Sequence, residues 1–561
     1  MSSKEKKNTS GNRSSAFAVI AWILFVASAI WFTIVFRSFD MFPANWLLIL
    51  ITVLAVLGLL TGWVVYSRNL GKTTKILSGI VNVLLCVCLV AGSLYLPYVR
   101  SSIEKIFTDV EDSHTLSINY YVLTDEYLEA HPDIYDEKEE EKTDEESGEE
   151  TGGETGEEQV ENGSETVVIT TEEEYPAEEP REYDPEDYPE EVRELIPYLG
   201  ETFLVQKDID KDNQNFAMEK LAELFEIESF KTKEYNSLWD SYDALLNGEG
   251  KVLVMNSTYE DIVSDIKGYE DFKKNTRVVY TFTKIVEKPV PPEVEVVSDA
   301  FSVLIAGNDT YGGISTYGRT DVVMIATINP KTKQAVLVSF PRDSYMGNPA
   351  YGYRKDKLTH MGVSGIGNTM AALSNYTGVN VEFYAMTNFT AFVRIIDALG
   401  GVDIYNPYTF STNNAKNTWD GVFYEGNIHL DGTKALAYCR ERFNLPNGDF
   451  GRAEHENIVM RAIMNKLMSS AILTNFNSVL NSMSGMVATN FPTASMFELV
   501  KMQLNDMQPW HIVSKSLKGS TGSASCAAAG GEMLSCVFLY DEQINEAISL
   551  MNKVINGEIL E

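Results

Sequence analysis

Residues 334–345 read QAVLVSFPRDSY. The first seven are apolar apart from Gln334 and Ser339, the near-continuous pattern of a strand buried on both faces. Pro341 cannot donate to a ladder and ends the strand. Arg342 and Asp343 then follow at once. Two similar runs come before it, FSVLIAG at 301–307 and DVVMIATI at 321–328. After it come a helical stretch near 364–376, the strand EFYAMTN and the helix FTAFVRIIDALGG, whose paired glycines suit a helix stop. TKALAYCRERF and GRAEHENIVMRAIMNKLMSSAI add further helices. Buried strands alternating with helices predict an α/β/α domain over residues 300–475. Residues 476–561 are expected as a helical and strand extension, in which Cys526 and Cys536 flank CAAAGGEMLSC and stand as a possible disulfide.

Working outward toward the N-terminus, the Pro-rich stretch 291–299 reads as a stiff linker. Before it, 99–290 carries the strand and helix patterns of a small α/β accessory domain. TLSINYYVL at 115–123 is expected to be its first strand, separated from the rest by an insert at 136–194. That insert holds 27 acidic residues against four basic ones. Its composition predicts disorder, since it has too little apolar surface to offset ordering. The insert accounts for most of the formal net charge of −35. No broad basic surface remains, which argues against a nucleic-acid partner.

Residues 16–98 contain three apolar runs, Ala16–Phe36, Asn45–Tyr66 and Ile76–Tyr98, each near the 20 or so residues a membrane-crossing helix needs. Lys4, Lys6, Lys7 and Arg13 precede the first, and Arg68, Lys72 and Lys75 separate the second from the third. By the positive-inside rule the tail 1–15 is cytoplasmic, and everything after the third span lies outside.

Arg342 has company. GNDTYGGISTYGRTD places Asp309, Arg319 and Asp321 around the first two strands, and YCRERFNLPNGDFGR places Arg440, Arg442, Asp449 and Arg452 within a short stretch. In open α/β sheets ligands gather where strands give way to loops. Five guanidinium groups exceed the nearby carboxylates and ask for a polyanion, of which a diphosphate is the simplest. Aspartates beside a diphosphate call for a divalent cation between them. These residue types suggest phosphoryl transfer by positioning and electrostatics.

GND, GRTD, SFPRDSY, KDKLTH, IIDALGGVDI, HLDGTKALAYCRER and DFGR in this order make residues 300–470 resemble the LytR-CpsA-Psr family, and the three spans resemble its capsule-type, CpsA-like branch. The resemblance implies a membrane-anchored enzyme that transfers a glycopolymer, capsular polysaccharide or teichoic-acid-like, from a polyprenyl-pyrophosphate carrier to peptidoglycan, forming a phosphodiester. It implies Asp309 and Asp321 as ligands of Mg²⁺ or Mn²⁺, and either of them as base. It implies Arg319, Arg342, Arg440, Arg442 and Arg452 as the pyrophosphate clamp, Asp449 as an orienting residue and Lys357 as a further member. His455 and Glu456 depart from the Arg-Gln pair usual in the family. Either Glu456 binds metal or it pairs with an arginine, and a partly protonated His455 is expected to restore some positive charge. An apolar tunnel lined by Phe383, Tyr384, Phe389, Phe392, Ile395 and Ile396 is expected for the lipid. A hydrolase of polyprenyl diphosphates and a non-catalytic regulatory binder are the alternative readings. The motifs set neither the polymer nor an oligomeric state.

Overall fold

The computed structural model describes the chain apart from residues 1, 40–43, 68, 109–114, 136–182, 208, 287–288, 291–293, 295, 309–313, 413–418, 447, 468, 470–486 and 561. The disorder expected of the acidic insert thus lies outside the described residues up to 182. Its end is ordered: Glu190–Tyr198 forms a 3-10 segment that buries Val192 and Leu195.

Three helices open the chain, α1 (Ser2–Phe39), α2 (Ala44–Tyr66) and α3 (Lys72–Thr108). Within them Ala16–Phe39, Asn45–Tyr66 and Lys72–Tyr98 are long and apolar enough to cross a membrane. Phe17 and Phe32 of α1 pack at Gly79 and Gly92 of α3, where an added Cβ would come within 2.7 and 2.8 Å of the rings. Small residues let membrane helices approach this closely. The order of these contacts makes α1 and α3 parallel, as the first and third of three spans must be. Leu59, Trp63 and Leu94 remain outward-facing and apolar.

Residues 118–282 form one compact unit. Its sheet combines β1 (Thr115–Leu123), β2 (Phe203–Gln206), β3 (Thr232–Tyr235), β4 (Val252–Asn256) and β5 (Thr276–Ile285) in the order β3-β2-β4-β1-β5. The strand from before the insert does complete this sheet: Ile118 pairs antiparallel with Asn256 and Tyr121 with Leu253. The helix Lys211–Phe225 turns Ala217, Met218, Leu221 and Phe225 inward. Leu224 of the same helix is exposed.

The second sheet is built on β6 (Phe301–Asn308), β7 (Val322–Asn329) and β8 (Gln334–Phe340), the three apolar runs. β9 (Tyr345–Asn348) and β10 (Arg354–Lys357) form a ribbon beyond β8. β11 (Phe383–Asn388) joins β6 in parallel. Two small ribbons follow, β12 (Val402–Asn406) with β15 (Gly426–Leu430) and β13 (Phe410–Thr412) with β14 (Gly421–Phe423). Both edges of the main sheet come from the end of the chain: β16 (Ala488–Thr489) lies against β11, and β17 (His511–Ser516) lies parallel to β8. The full order is β16-β11-β6-β7-β8-β17. β18 (Gly519–Ser525) and β19 (Met533–Leu539) make a hairpin, and the helix Asp541–Ile555 ends the fold.

Both sheet faces are covered. On one, Ile325, Val336 and Val338 meet Ile544, Met551 and Val554 of the last helix together with Met370 and Leu373. On the other, Met324, Ala326 and Leu337 meet Met464. The expected end of this domain at 475 is therefore corrected: 488–560 supplies two strands and a core helix, and without them β8 and β11 would be bare edges. The linker is corrected too. Val296 is fully buried against Phe301 and Phe383, so the end of 291–299 is docked into the core.

Candidate active site

The register of the β7–β8 hairpin places Asp321 opposite Arg342. Val323 pairs with Phe340 across the ladder, and the next facing positions outward are 321 and 342. Arg342 Nη1 donates to Asp321 Oδ1 at 2.7 Å, with side chains only 20% and 12% exposed. The same sheet end carries Asn308, which closes β6, and Asn388, which closes the parallel β11. This is the loop end where a ligand of an α/β sheet is expected.

Burial pushes the Asp321 carboxyl up, but the charge and hydrogen bond of Arg342, with the charges of Arg452 and Arg319, outweigh it and hold the group below the usual carboxylate range. Three arginines from three separate segments thus act on one carboxylate. Arg319 sits on a stretch tied to the segment after β10, by Gly318 N–H to Gly362 O and Thr320 N–H to Thr359 O. Arg342 is fixed by its own backbone, since its carbonyl accepts from Thr359 N–H at 2.8 Å. Arg452 lies one turn into the helix Asp449–Leu467, with its Nε 3.9 Å from Glu456 Oε1. Glu456 is thus within ion-pair reach of Arg452.

Lys357 is nine-tenths buried, and its Nζ lies 3.5 Å from Asp343 Oδ1. Asp343 also lies 4.0 Å from Arg342 Nε. Asp343, the aspartate of the PRD motif, is thus a site residue that its sequence position did not announce. Arg440 places its guanidinium 4.4 Å from the centre of the Phe389 ring. Phe389 directly follows Asn388, so Arg440 stands at the same sheet end. Arg442 is exposed and lies over Phe443 instead. Glu441 between them is buried, and its Oε1 accepts from the N–H groups of Arg442, Phe443 and Asn444. That anchor shapes the loop, a role its sequence position did not announce. Asp309 lies outside the described residues. Asp449 opens its helix, but its side chain is outside what is described.

His455 does not restore positive charge. It is fully buried, stacked 3.9 Å from Tyr438. Its Nδ1 is 3.0 Å from Tyr438 O and its Nε2 is 3.2 Å from Tyr408 Oη, the pattern of a neutral ring. Burial pulls its pKa down to about 4. The single apolar tunnel is also corrected in its lining. Phe383 and Tyr384 are successive strand residues on opposite sheet faces, and they belong to different cores, while Ile396 belongs to a third.

A family model described as the LytR_cpsA_psr family matches residues 256–551, over half of the chain. The chain belongs to the LytR-CpsA-Psr family. Among curated LytR-CpsA-Psr relatives, the polyisoprenyl-teichoic acid–peptidoglycan teichoic acid transferase TagU of Enterococcus faecalis is 36% identical over 195 residues, 34% of this chain and 62% of that protein. TagU of Bacillus mycoides is 34% identical over 212 residues, 38% of this chain and 67% of that protein. The chain therefore spans about two thirds of these relatives or slightly less. Among solved structures, B. subtilis TagV is 22% identical, covering 46% of this chain and 98% of that one with a TM-score of 0.39. B. subtilis TagU is 26% identical, covering 47% and 100%, with a TM-score of 0.36.

Proposed function

We propose that this protein is an integral membrane enzyme that transfers a glycopolymer from a polyprenyl diphosphate to peptidoglycan. The observation that carries the reading is the convergence of Arg319, Arg342 and Arg452 on Asp321 in a LytR-CpsA-Psr chain. The names of the TagU relatives add support for a teichoic-acid-like polymer and a peptidoglycan acceptor. Cationic forks in a half-buried setting bind phosphate oxygens more strongly than they would in water. Arg319, Arg342, Arg440 and Arg452 grip the diphosphate, with Lys357 behind them.

An acceptor sugar hydroxyl attacks the phosphorus attached to the polymer. The bond from that phosphorus to the polyprenyl phosphate breaks, and polyprenyl phosphate leaves with its electron pair. An ionised carboxylate, Asp321 or Asp309, takes the hydroxyl proton. An ionised, largely buried Asp321 is the kind of donor a hard cation takes. Asp321 and Asp309 would hold Mg²⁺ or Mn²⁺, which when bound neutralises charge between carboxylates and phosphate oxygens. The basic tail and second loop favour a cytoplasmic N-terminus and an extracytoplasmic active site.

The test is to incubate the purified full-length protein with a lipid-linked saccharide, with and without peptidoglycan and Mg²⁺. Ligated product and free polyprenyl phosphate are expected only with acceptor. Saccharide phosphate released equally without acceptor would make the protein a hydrolase, and no turnover under any condition would make it a binder.

A further inference from the structure

Cys526 and Cys536 are fully buried thiols with their Sγ atoms 3.7 Å apart. What they close matters more than the pair itself. The hairpin β18–β19 grips the site segment at four points. Val537 N–H donates to Asp343 O, and Ala527 N–H donates to Lys355 O. Ala528 N–H donates to Asp356 Oδ2, and Tyr345 Oη–H donates to Ser525 O. Asp343 and Asp356 flank Arg342 and Lys357 in sequence. Cys526 precedes the two gripping alanines, and Cys536 precedes the gripping valine.

A metal centre is the competing use of the cluster, because Asp356, His360 and Cys526 offer ligand atoms within 4.8 Å of one another. Asp356 speaks against it. Its two oxygens already accept from Asn348 Nδ2, Lys357 N–H, Ala528 N–H and His360 Nδ1. An ion would have to displace bonds that hold the segment together.

We propose that Cys526 and Cys536 join as a disulfide that locks the β18–β19 hairpin onto the segment carrying Arg342 and Lys357. Two thiols lose two hydrogens as one sulfur–sulfur bond forms. A protein or small-molecule disulfide outside the membrane accepts the two electrons and two protons and becomes a pair of thiols. Because both sulfurs are sealed from solvent, exchange occurs before the hairpin docks, and the finished bond is shielded from reductant. The consequence for diphosphate binding rests on the transferase reading; the bond itself does not.

The experiment isolates the full-length protein in detergent without reductant, alkylates it and digests it with trypsin. Residues 519–553 contain no internal Lys or Arg and come off as one peptide. It is expected unalkylated and two hydrogens light, taking two alkyl groups only after reduction. Two alkyl groups without reduction overturn the proposal, as does stoichiometric zinc with both thiols intact. The double variant Cys526→Ser, Cys536→Ser is expected to unfold about 5–10 °C lower and to bind geranylgeranyl diphosphate about tenfold more weakly. Unchanged diphosphate affinity overturns the bracing of the site. Wild-type protein that fails to bind the diphosphate sinks the transferase reading, and the peptide mass still decides the bond.

Discussion

Arg342 and Asp321 form a hydrogen-bonded pair in a mostly buried setting, where a planar fork is not interchangeable with a point charge. Arg342→Lys keeps the charge and loses the fork. Turnover of a lipid-linked saccharide is expected to fall about 100-fold, the size seen when one preorganised donor is lost, with the unfolding temperature little changed. Turnover within twofold of wild type would remove Arg342 from the clamp. His455 makes a separate prediction. Its folded pKa of about 4 lies below the unfolded value near 6.5, so between those values the unfolded chain binds more protons. The stability due to the neutral ring is complete above pH 6.5 and is lost as pH falls toward 4. It amounts to about 2 kcal/mol lost at pH 5. His455→Phe fits the same aromatic stack and should flatten that slope, which thermal unfolding at pH 5 and 7.5 measures. A variant as acid-sensitive as wild type would show that another group carries the effect.

At the scale of elements, the chain's last helix is as much core as the central strands. Met551 is fully buried among Val336, Val338 and Leu373, so Met551→Ala should cost about 2–5 kcal/mol. A chain truncated before 488 should not fold, because it leaves β8 and β11 unpaired and a sheet face uncovered; circular dichroism and solubility read this out. β6, β7 and β8 were legible as near-continuous apolar runs, and β8 carries its own stop signal in the Pro-Arg-Asp that follows it. β16 has two residues, and β17, HIVSKS, has no alternation, so neither announced itself. They are strands because a neighbouring edge makes them so, which is tertiary information. The same distinction holds in the site. Arg319, Arg342 and Arg452 were legible as residue types near strand ends. Asp343, Glu441 and the ring of Phe389 were not, because their roles depend on which backbone and which cation they meet. The single tunnel lining divides for a stricter reason: Phe383 and Tyr384 are successive strand residues facing opposite ways, while Phe389, Phe392, Ile395 and Ile396 belong to the helix that follows.

For the whole molecule, the decisive question is which side of the membrane receives the active site. The lipid substrate of the proposed reaction never leaves the bilayer, and three spans hold the enzyme in the same sheet of lipid, raising the effective concentration of each for the other. The orientation we propose rests on charge. The residues before the first apolar run and those between the second and third carry seven Lys and Arg residues, whereas those between the first and second carry Arg37 against Asp40. Translocating the first set costs more than retaining it, so in the topology we propose the residues after α3 go outward. The acidic stretch goes with them. A cysteine introduced there by Gly152→Cys should react with a membrane-impermeant maleimide in intact cells. One introduced by Ser10→Cys in the tail should react only after lysis, and the unaltered protein, whose cysteines lie in α3 or in buried positions, should react in neither case. Labelling of the tail but not the acidic stretch in intact cells would put the arginine cluster on the cytoplasmic side, out of reach of peptidoglycan, and the transferase reading would fall with it.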